Sequence, residues 1–496
     1  MTAMRNLPSC DAIVIGSGFG GAFAADTLVN AGLRVLLIER GPWRDTAPVR
    51  AAGIEQRSPL PRGRHAATHL LRRLEAPLLP GGALQMHAHG LFDIHLSREL
   101  SVVCSSGVGG GSHVYSAMNT RPAVARYWHN RADGVDDAGM QAHYDAVIAR
   151  MGARAPRAGD EIPNFTGTRF CNDSDFTADV EQPAMGFDYT SRKFSANSYF
   201  GSADGGKVTL DALLLAPALQ RGLTLLDLHE AVAIRRAAGG GWIVSLRNHR
   251  DGSYSHIQAP KVLLAAGTLN TLRLLFASRA QGALGELPAL GLGIGGNGDS
   301  IGWWARNDAG ADYSLGTPCH GRFALRGEED GPYITSFGVN GIDDLPLPRA
   351  LRNRLRRDLI LVGMGADEAN GFANWRNGRM QMHYSREANP VLAQLQASFA
   401  RIAARSGKRV FALAPFPVTV HPLGGARVDD NPRRGLVNGR GEVHGLPGLF
   451  VADGAALPAA PGSPPSMSIA AWARHVASGI ARHGQVVTEK RREYSV

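Results

Sequence analysis

The residues of this chain whose types and spacing carry chemistry begin near its N-terminal end. Gly16, Gly18 and Gly21 form a Gly-x-Gly-x-x-Gly run, and Glu39 follows 18 residues beyond the last of them. Such a run suits a diphosphate. The first glycine permits a tight turn, the second lets the backbone approach the pyrophosphate, and the third lets a helix lie close to a sheet with its N-terminus facing the anion. Glu39 stands where a carboxylate accepts hydrogen bonds from the hydroxyls of an adenosine ribose. With Phe19 and Gly20, which lie inside the run, these residues are the candidate ligands of a dinucleotide. Metal chemistry has no comparable support, because the 17 histidines never fall into His-Glu-x-x-His or a similar cluster. The cysteines Cys10, Cys104, Cys171 and Cys319 form no Cys-x-x-Cys pair, which argues against a zinc knuckle or dithiol motif and for a reducing compartment.

A strand, a turn and a helix in that order must position these residues. The segment DAIVIGSGFGGAFAADTLVNAGLRVLLIERG supplies them, with strands predicted at Ala12 to Ile15 and Val35 to Ile38 around an alanine-rich helix. Two remote segments read as further parts of the same parallel sheet. Lys261 to Ala265 is a predicted strand before Gly267 and a helix starting near Asn270. Leu449 to Val451 is another, followed by Asp453, Gly454 and a predicted amphipathic helix of 17 residues from near Ser466. No second fingerprint for a separate nicotinamide site occurs, which favours FAD. The positive N-terminal end of the last helix would suit the pyrimidine edge of a flavin, where negative charge grows on reduction.

The chain has 496 residues, enough for two domains, and its 61 glycines are nearly twice the usual share of roughly 7%. The formal charge is +10, and only five of the 53 basic residues are lysine. Nucleic-acid binding is not expected, since no helix-turn-helix, finger, aromatic RNA-binding strand or long basic tract is present. No uninterrupted run of 18 apolar residues occurs, so no membrane-spanning helix is expected, while the positive charge leaves peripheral membrane contact open. The first ten residues carry no apolar run, so a secretory signal is not expected and the chain reads as cytoplasmic.

Seven motifs in order then resemble the glucose-methanol-choline (GMC) flavoproteins, and among them the bacterial cholesterol oxidases with noncovalent FAD. They are the N-terminal fingerprint, the loop GVGGGSHVYSAM (Gly107 to Met118), LHEAVAIRR (Leu228 to Arg236), AAGTLNTLRLL, the glycine run ending in Asn297 and Gly298, HPLGG from His421, and LFVADG. Together they span almost the whole chain. The resemblance implies an α/β FAD-binding domain of Rossmann-like GMC type, interleaved with an α+β substrate domain built on a large, mostly antiparallel sheet. Residues 1–43, 206–298 and 436–496 would form the first; residues 44–205 and 299–435 would form the second, including lid segments and the glycine loop.

It further implies that Gly109, Gly110, Gly111 and Ser112 lie along the flavin, with Tyr115 where the family has asparagine. The backbone near Glu230 and Ala231 would approach the adenine; Gly267, Asp453, Gly454, Pro465 and Ser466 would complete the cofactor site. His421 would face the reactive edge of the flavin, where an imidazole of ordinary pKa about 6.5 suits proton transfer from an alcohol. His113 is one residue off the pattern of covalent flavin attachment, so noncovalent FAD is expected.

Two departures accompany the resemblance. The turn that reads Gly-x-Asn-Pro in cholesterol oxidases is Gly462, Ser463, Pro464, Pro465 here, so a second polar partner of the substrate oxygen is replaced by proline. Ser463 and Ser466 are the nearest hydroxyls. The stretch GPYITSFGVNG lacks the acid that would serve steroid isomerisation, with Glu328 and Glu329 lying upstream. Trp303, Trp304, Phe337 and Trp375 are candidate pocket neighbours, and Leu70, Leu71 and Leu74 have the spacing of one helix face, within a leucine-rich stretch reaching Leu78 and Leu79 that would suit a lid. The expected reaction is FAD-dependent oxidation of a secondary alcohol, on a sterol or another bulky apolar molecule, with oxygen or another acceptor taking the electrons. A dehydrogenase or isomerising flavoenzyme on a non-steroid substrate, and a flavin-bound ligand-binding protein without turnover, are the alternatives.

Overall fold

The computed structural model describes residues 9–163, 177–190, 194, 197–325, 331–412 and 418–493; Cys171, Glu328 and Glu329 lie outside them. Its centre is a five-stranded parallel sheet in the order Thr224–Leu226, Val35–Ile38, Ala12–Ile15, Lys261–Leu264, Leu449–Val451. Three of these strands, AIVI, VLLI and LFV, are buried at every position, as continuous apolar runs must be when both faces of a parallel sheet are covered. Helix Phe19–Asn30 packs against the C-terminal helix Ser466–Glu493. Trp472 fastens that last helix to the sheet: its Nε1 donates to the Val451 carbonyl at 2.9 Å, and its ring stacks on Trp128. The antiparallel meander His229–Arg236, Trp242–Asn248, Tyr254–Ala259 carries helix Thr268–Ala280.

A six-stranded antiparallel sheet stands apart, in the order Val410–Ala412, Ser300–Trp304, Leu359–Met364, Tyr333–Phe337, Cys319–Leu325, Thr177–Glu181. Strand alternation divides its faces. Trp304, Leu359 and Leu361 turn to helix Pro390–Ser406 and bury against Leu395, Phe399 and Ile402. Ile301, Ile360 and Val362 point the other way, to a cavity. Another five-stranded sheet runs Val418–Thr419, Ser101–Ser105, Phe92–His95, Leu71–Glu75, Ala83–Gln85. Its strand Ser101–Ser105 leads into the glycine loop, and Val418–Thr419 leads to His421.

Local spacing misled at three places. Helix Ala66–Leu70 ends before Leu71, and Leu71–Glu75 is a strand held between Phe92–His95 and Ala83–Gln85; it buries Arg72, while Leu78 beyond it is 95% exposed. The helix after Gly267 starts at Thr268, two residues before the predicted start. The C-terminal helix has 28 residues instead of 17, because its polar continuation keeps helical propensity after the apolar face ends. No helix among the described residues is long and apolar enough to cross a membrane.

Candidate active site

The fingerprint glycines divide into two kinds by what a side chain would meet. At Gly21 a Cβ would lie 1.8 Å from the Gly16 carbonyl oxygen, and at Gly20 it would lie 2.1 Å from that of Ala452, so both glycines seat the helix on neighbouring backbone. Gly16 adopts φ +98, the left-handed turn the motif requires. At Gly18 the nearest atom is the Gly110 Cα at 4.0 Å, and at Gly111 it is Ser105 Oγ at 4.0 Å. Gly110 itself touches Gly18, for a Cβ there would come within 2.6 Å of the Gly18 Cα. The two glycine loops are therefore in contact.

They border one cavity of about 930 Å³. Of the residues expected from the sequence, Gly16, Gly18, Phe19, Gly20, Glu39, Gly110, Gly111, Tyr115, Ala231, Gly267, His421, Asp453, Gly454, Pro465 and Ser466 line it, as does Glu230. Gly21, Gly109 and Ser112 do not. Ser112 is fully buried behind the loop, where its Oγ donates to the Gly109 carbonyl at 2.7 Å and accepts from Leu210 N at 3.0 Å. It shapes the loop from behind, because its side chain is committed to backbone on the side away from the cavity. His113 is also fully buried behind it, with Nε2 at 2.7 Å from the Val108 carbonyl.

Glu39 accepts from Ser17 N at 3.1 Å, Ser17 Oγ at 2.6 Å and Gly41 N at 2.8 Å, which fixes its carboxylate at the end of its strand. Asp453 joins the two remote sheet segments, accepting from Gly267 N at 2.9 Å, Thr271 Oγ1 at 2.6 Å and Ala455 N at 2.9 Å. Burial pushes its carboxyl up to about 6 in spite of these donors. Burial would likewise raise Glu230, but the hydrogen bond with His249 at 2.9 Å and the charges of Arg40 and Arg72 bring it down to about 2. Arg40, which lines the cavity, pairs with Asp93.

His421 is pinned on both sides. Val418 pairs with Ser101 in parallel, and Leu423 exchanges backbone hydrogen bonds with Gly295 at 3.1 and 3.0 Å. The imidazole Nδ1 lies 2.9 Å from Asp299 Oδ1, which leaves Nε2 as the nitrogen available to the cavity. Asp299, which lines the cavity from the loop just before strand Ser300–Trp304, is a residue that sequence reasoning missed. It sits 122 residues before His421, and its only nearby signal is the glycine run that ends one residue earlier. Asn297, inside that run, does not reach His421. Its Oδ1 accepts from Gly462 N and its Nδ2 donates to the Ser463 carbonyl, both at 3.0 Å, so it clamps the turn before the last helix.

At that turn Pro464 and Pro465 line the cavity. Ser463 is fully buried, donates to the Arg121 carbonyl at 2.8 Å and does not reach the cavity; Ser466 does, with Oγ 3.5 Å from the Met118 carbonyl. The Tyr115 hydroxyl donates to the Val208 carbonyl at 2.8 Å, so the phenol is a wall with its proton engaged. Phe337 and Trp375 line the cavity, but Trp303 and Trp304 do not: the first donates to Asp358 and packs on Phe411, and the second faces the helix behind the sheet. Among the described residues, no three His, Cys, Asp or Glu side chains are arranged to hold a metal ion.

The parallel sheet, its glycine turn and the cavity they border define a Rossmann-like nucleotide-binding fold. The sequence profiles of the GMC oxidoreductases match residues 11–294 and 383–473. The chain belongs to the GMC oxidoreductase family. It is similar to a cholesterol oxidase of Mycobacterium tuberculosis (strain CDC 1551 / Oshkosh), 26% identical over 95% of this chain and 91% of that protein. It is also similar to a long-chain-alcohol oxidase of Arabidopsis thaliana, 24% identical over 54% of this chain and 34% of that protein. Among solved structures, a pyridoxine 4-oxidase from Mesorbium loti shares the fold with a TM-score of 0.65 and 16% identity, over 95% of this chain and 99% of that one. An FAD-dependent oxidoreductase from Chaetomium thermophilum does so with a TM-score of 0.65 and 15% identity, over 96% and 100%. The protein is an FAD-dependent oxidoreductase acting on an alcohol, and the cavity has room for that cofactor: backbone without a side chain at Gly18 and Gly111, with the Glu39 carboxylate on the same wall.

Proposed function

We propose that the protein oxidises a secondary alcohol of a bulky apolar molecule, sterols first among the candidates, to the ketone. The observation that carries this reading is His421, with Nδ1 occupied and Nε2 open, on a cavity whose wall includes Ile301, Phe337, Ile360, Val362 and Met364. His421 Nε2 accepts the hydroxyl proton, and the aliphatic face holds the rest of the molecule and excludes water. FAD held along Gly18, Gly110 and Gly111 would supply the hydride acceptor for the carbinol carbon, with oxygen or another acceptor as the terminal oxidant. Similarity to a cholesterol oxidase and a long-chain-alcohol oxidase supports an apolar substrate. Among the described residues, the wall contributed by strands of the six-stranded sheet includes no carboxylate, so the proposal stops at oxidation and includes no double-bond migration.

FAD is held noncovalently in this reading, since His113 is buried behind the loop with Nε2 committed to Val108. Residues 1–43, 206–298 and 436–496 form the FAD-binding domain, and residues 44–205 and 299–435 the substrate domain; the five parallel strands all come from the first set. The test is product identification by mass spectrometry after aerobic incubation with cholesterol, cyclic secondary alcohols, long-chain primary alcohols and aryl alcohols. Ketone from the bulky secondary alcohols is expected. Turnover confined to primary or aryl alcohols would overturn the substrate assignment.

A further inference from the structure

We infer that Asp299 is a positioning residue that fixes the tautomer of His421, and that the backbone N–H of Val420 makes this dependence strict. The inference rests on the reading of His421 as the base. Asp299 is 6% exposed and divides its two oxygens between two kinds of partner. Oδ1 faces His421 Nδ1 at 2.9 Å. Oδ2 accepts from Val420 N at 3.1 Å and lies 2.8 Å from Thr419 Oγ1. Thr419 Oγ1 in turn accepts from His421 N at 2.8 Å, so carboxylate, hydroxyl and the peptide units of 420 and 421 form one small framework.

An ionised carboxylate only accepts hydrogen bonds. The proton between Oδ1 and the ring therefore belongs to Nδ1, and the neutral imidazole keeps its lone pair on Nε2, where an alcohol proton must be received. Pro464 and Pro465, which line the same cavity, have neither N–H nor polar side chain, so nothing at those positions replaces this nitrogen. Asp299 keeps the lone pair of His421 on the nitrogen that faces the cavity.

The framework predicts an uncommon order of effects. In Asp299→Asn one oxygen becomes NH2. The Val420 N–H can only donate, so the amide oxygen must turn to it, and the NH2 must turn to His421. That NH2 donates to Nδ1, which then bears the lone pair, and the ring proton moves to Nε2. The base is left with a donor where it needs an acceptor. Asp299→Ala removes the partner without imposing the wrong one, so both tautomers remain accessible. Asn, the closer match in shape, is thus the more damaging substitution. General-base catalysis is worth about 10²–10⁴-fold and a wrong tautomer can forfeit most of it, so kcat should fall about 10²–10⁴-fold in Asp299→Asn and distinctly less in Asp299→Ala. KM should change little in either, because Asp299 acts through His421.

The experiment uses flavin-loaded enzyme labelled with ¹⁵N-histidine, with His421→Gln supplying the assignment by difference. Nδ1–H is expected in the wild type and Nε2–H in Asp299→Asn, with kcat ordered wild type, Ala, Asn. A wild-type ring protonated on Nε2 overturns the inference, as does an Asn variant that keeps the wild-type tautomer or turns over as fast as Ala. The wild-type spectrum decides even if a variant fails to fold. Failure of the underlying reading looks different: His421→Gln would then oxidise alcohol as fast as wild type, whatever the tautomer.

Discussion

Gly18→Ala and Gly21→Ala should separate cofactor binding from folding. Gly21 stands inside the first helix, and a Cβ there would sit 1.8 Å from the Gly16 carbonyl oxygen and 2.8 Å from its carbon. The helix must withdraw from the sheet to admit it, an overpacking that costs about 1–3 kcal/mol or more and outweighs the roughly 1 kcal/mol helix-propensity gain of alanine. Gly18 has φ −70 and ψ −163, which alanine can adopt, and its nearest atom beyond its chain neighbours is 4.0 Å from the new methyl. The apoprotein should not feel this change. If the diphosphate lies against Gly18, the methyl intrudes there instead, and the same 1–3 kcal/mol raises the Kd for FAD about 5- to 150-fold. Fluorescence quenching of FAD titrated with apoprotein gives the Kd, and calorimetry of apoprotein gives Tm. Gly21→Ala should lower the apoprotein Tm by several degrees, and Gly18→Ala should leave it unchanged. A Gly18→Ala protein that binds FAD with wild-type Kd would refute the placement of the diphosphate.

Neighbouring positions on one strand should behave oppositely. Ile360→Asp, on the cavity face, should fold and raise KM for apolar alcohols at least tenfold, whereas Leu361→Asp, fully buried against the helix behind the sheet, should abolish soluble folded protein; equal effects in circular dichroism and kinetics would contradict the assignment of faces. Burial opposes ionisation of Glu75 and Glu230, but their histidine and arginine partners bring both carboxyls down from 4.5 to about 2. Their folded-state pKa is depressed, so the stabilisation is present above about pH 4.5 and is lost as pH falls towards 2, by up to about 3 kcal/mol each. The Tm should fall across that window, and Glu230→Gln should flatten the fall; an unchanged slope would count against the ion cluster. Deleting residues 449–493 removes the last parallel strand and the Trp472 anchor, so the truncated chain should bind no FAD by absorbance after gel filtration.

What the sequence made legible was local or repeated. Apolar runs on either side of Gly16 and Gly21 announce buried parallel strands, and Leu449 to Val451 has the same character although it joins the sheet from far along the chain. Asp299 was invisible because its partner is 122 residues away and one aspartate after a glycine resembles any turn aspartate. Ser112 shows the limit inside a correctly located motif: a glycine loop is recognisable, but which side of it a hydroxyl occupies depends on Leu210, which packs behind it. Leu70, Leu71 and Leu74 satisfied a helical spacing that pairing with Phe92–His95 overrode at Leu71. Trp303 and Trp304 were plausible cavity neighbours from composition, yet one points to Asp358 and the other to the helix, a choice set by strand register.

The central claim is that His421 takes the alcohol proton as the carbinol hydrogen leaves. Anaerobic mixing of flavin-loaded enzyme with a bulky secondary alcohol, followed at the oxidised flavin band, tests it directly. Bleaching is predicted for the wild type, with a rate about 10²–10⁴-fold lower in His421→Ala at unchanged FAD content. A band that no alcohol bleaches, or one that bleaches equally fast without the imidazole, would contradict the account.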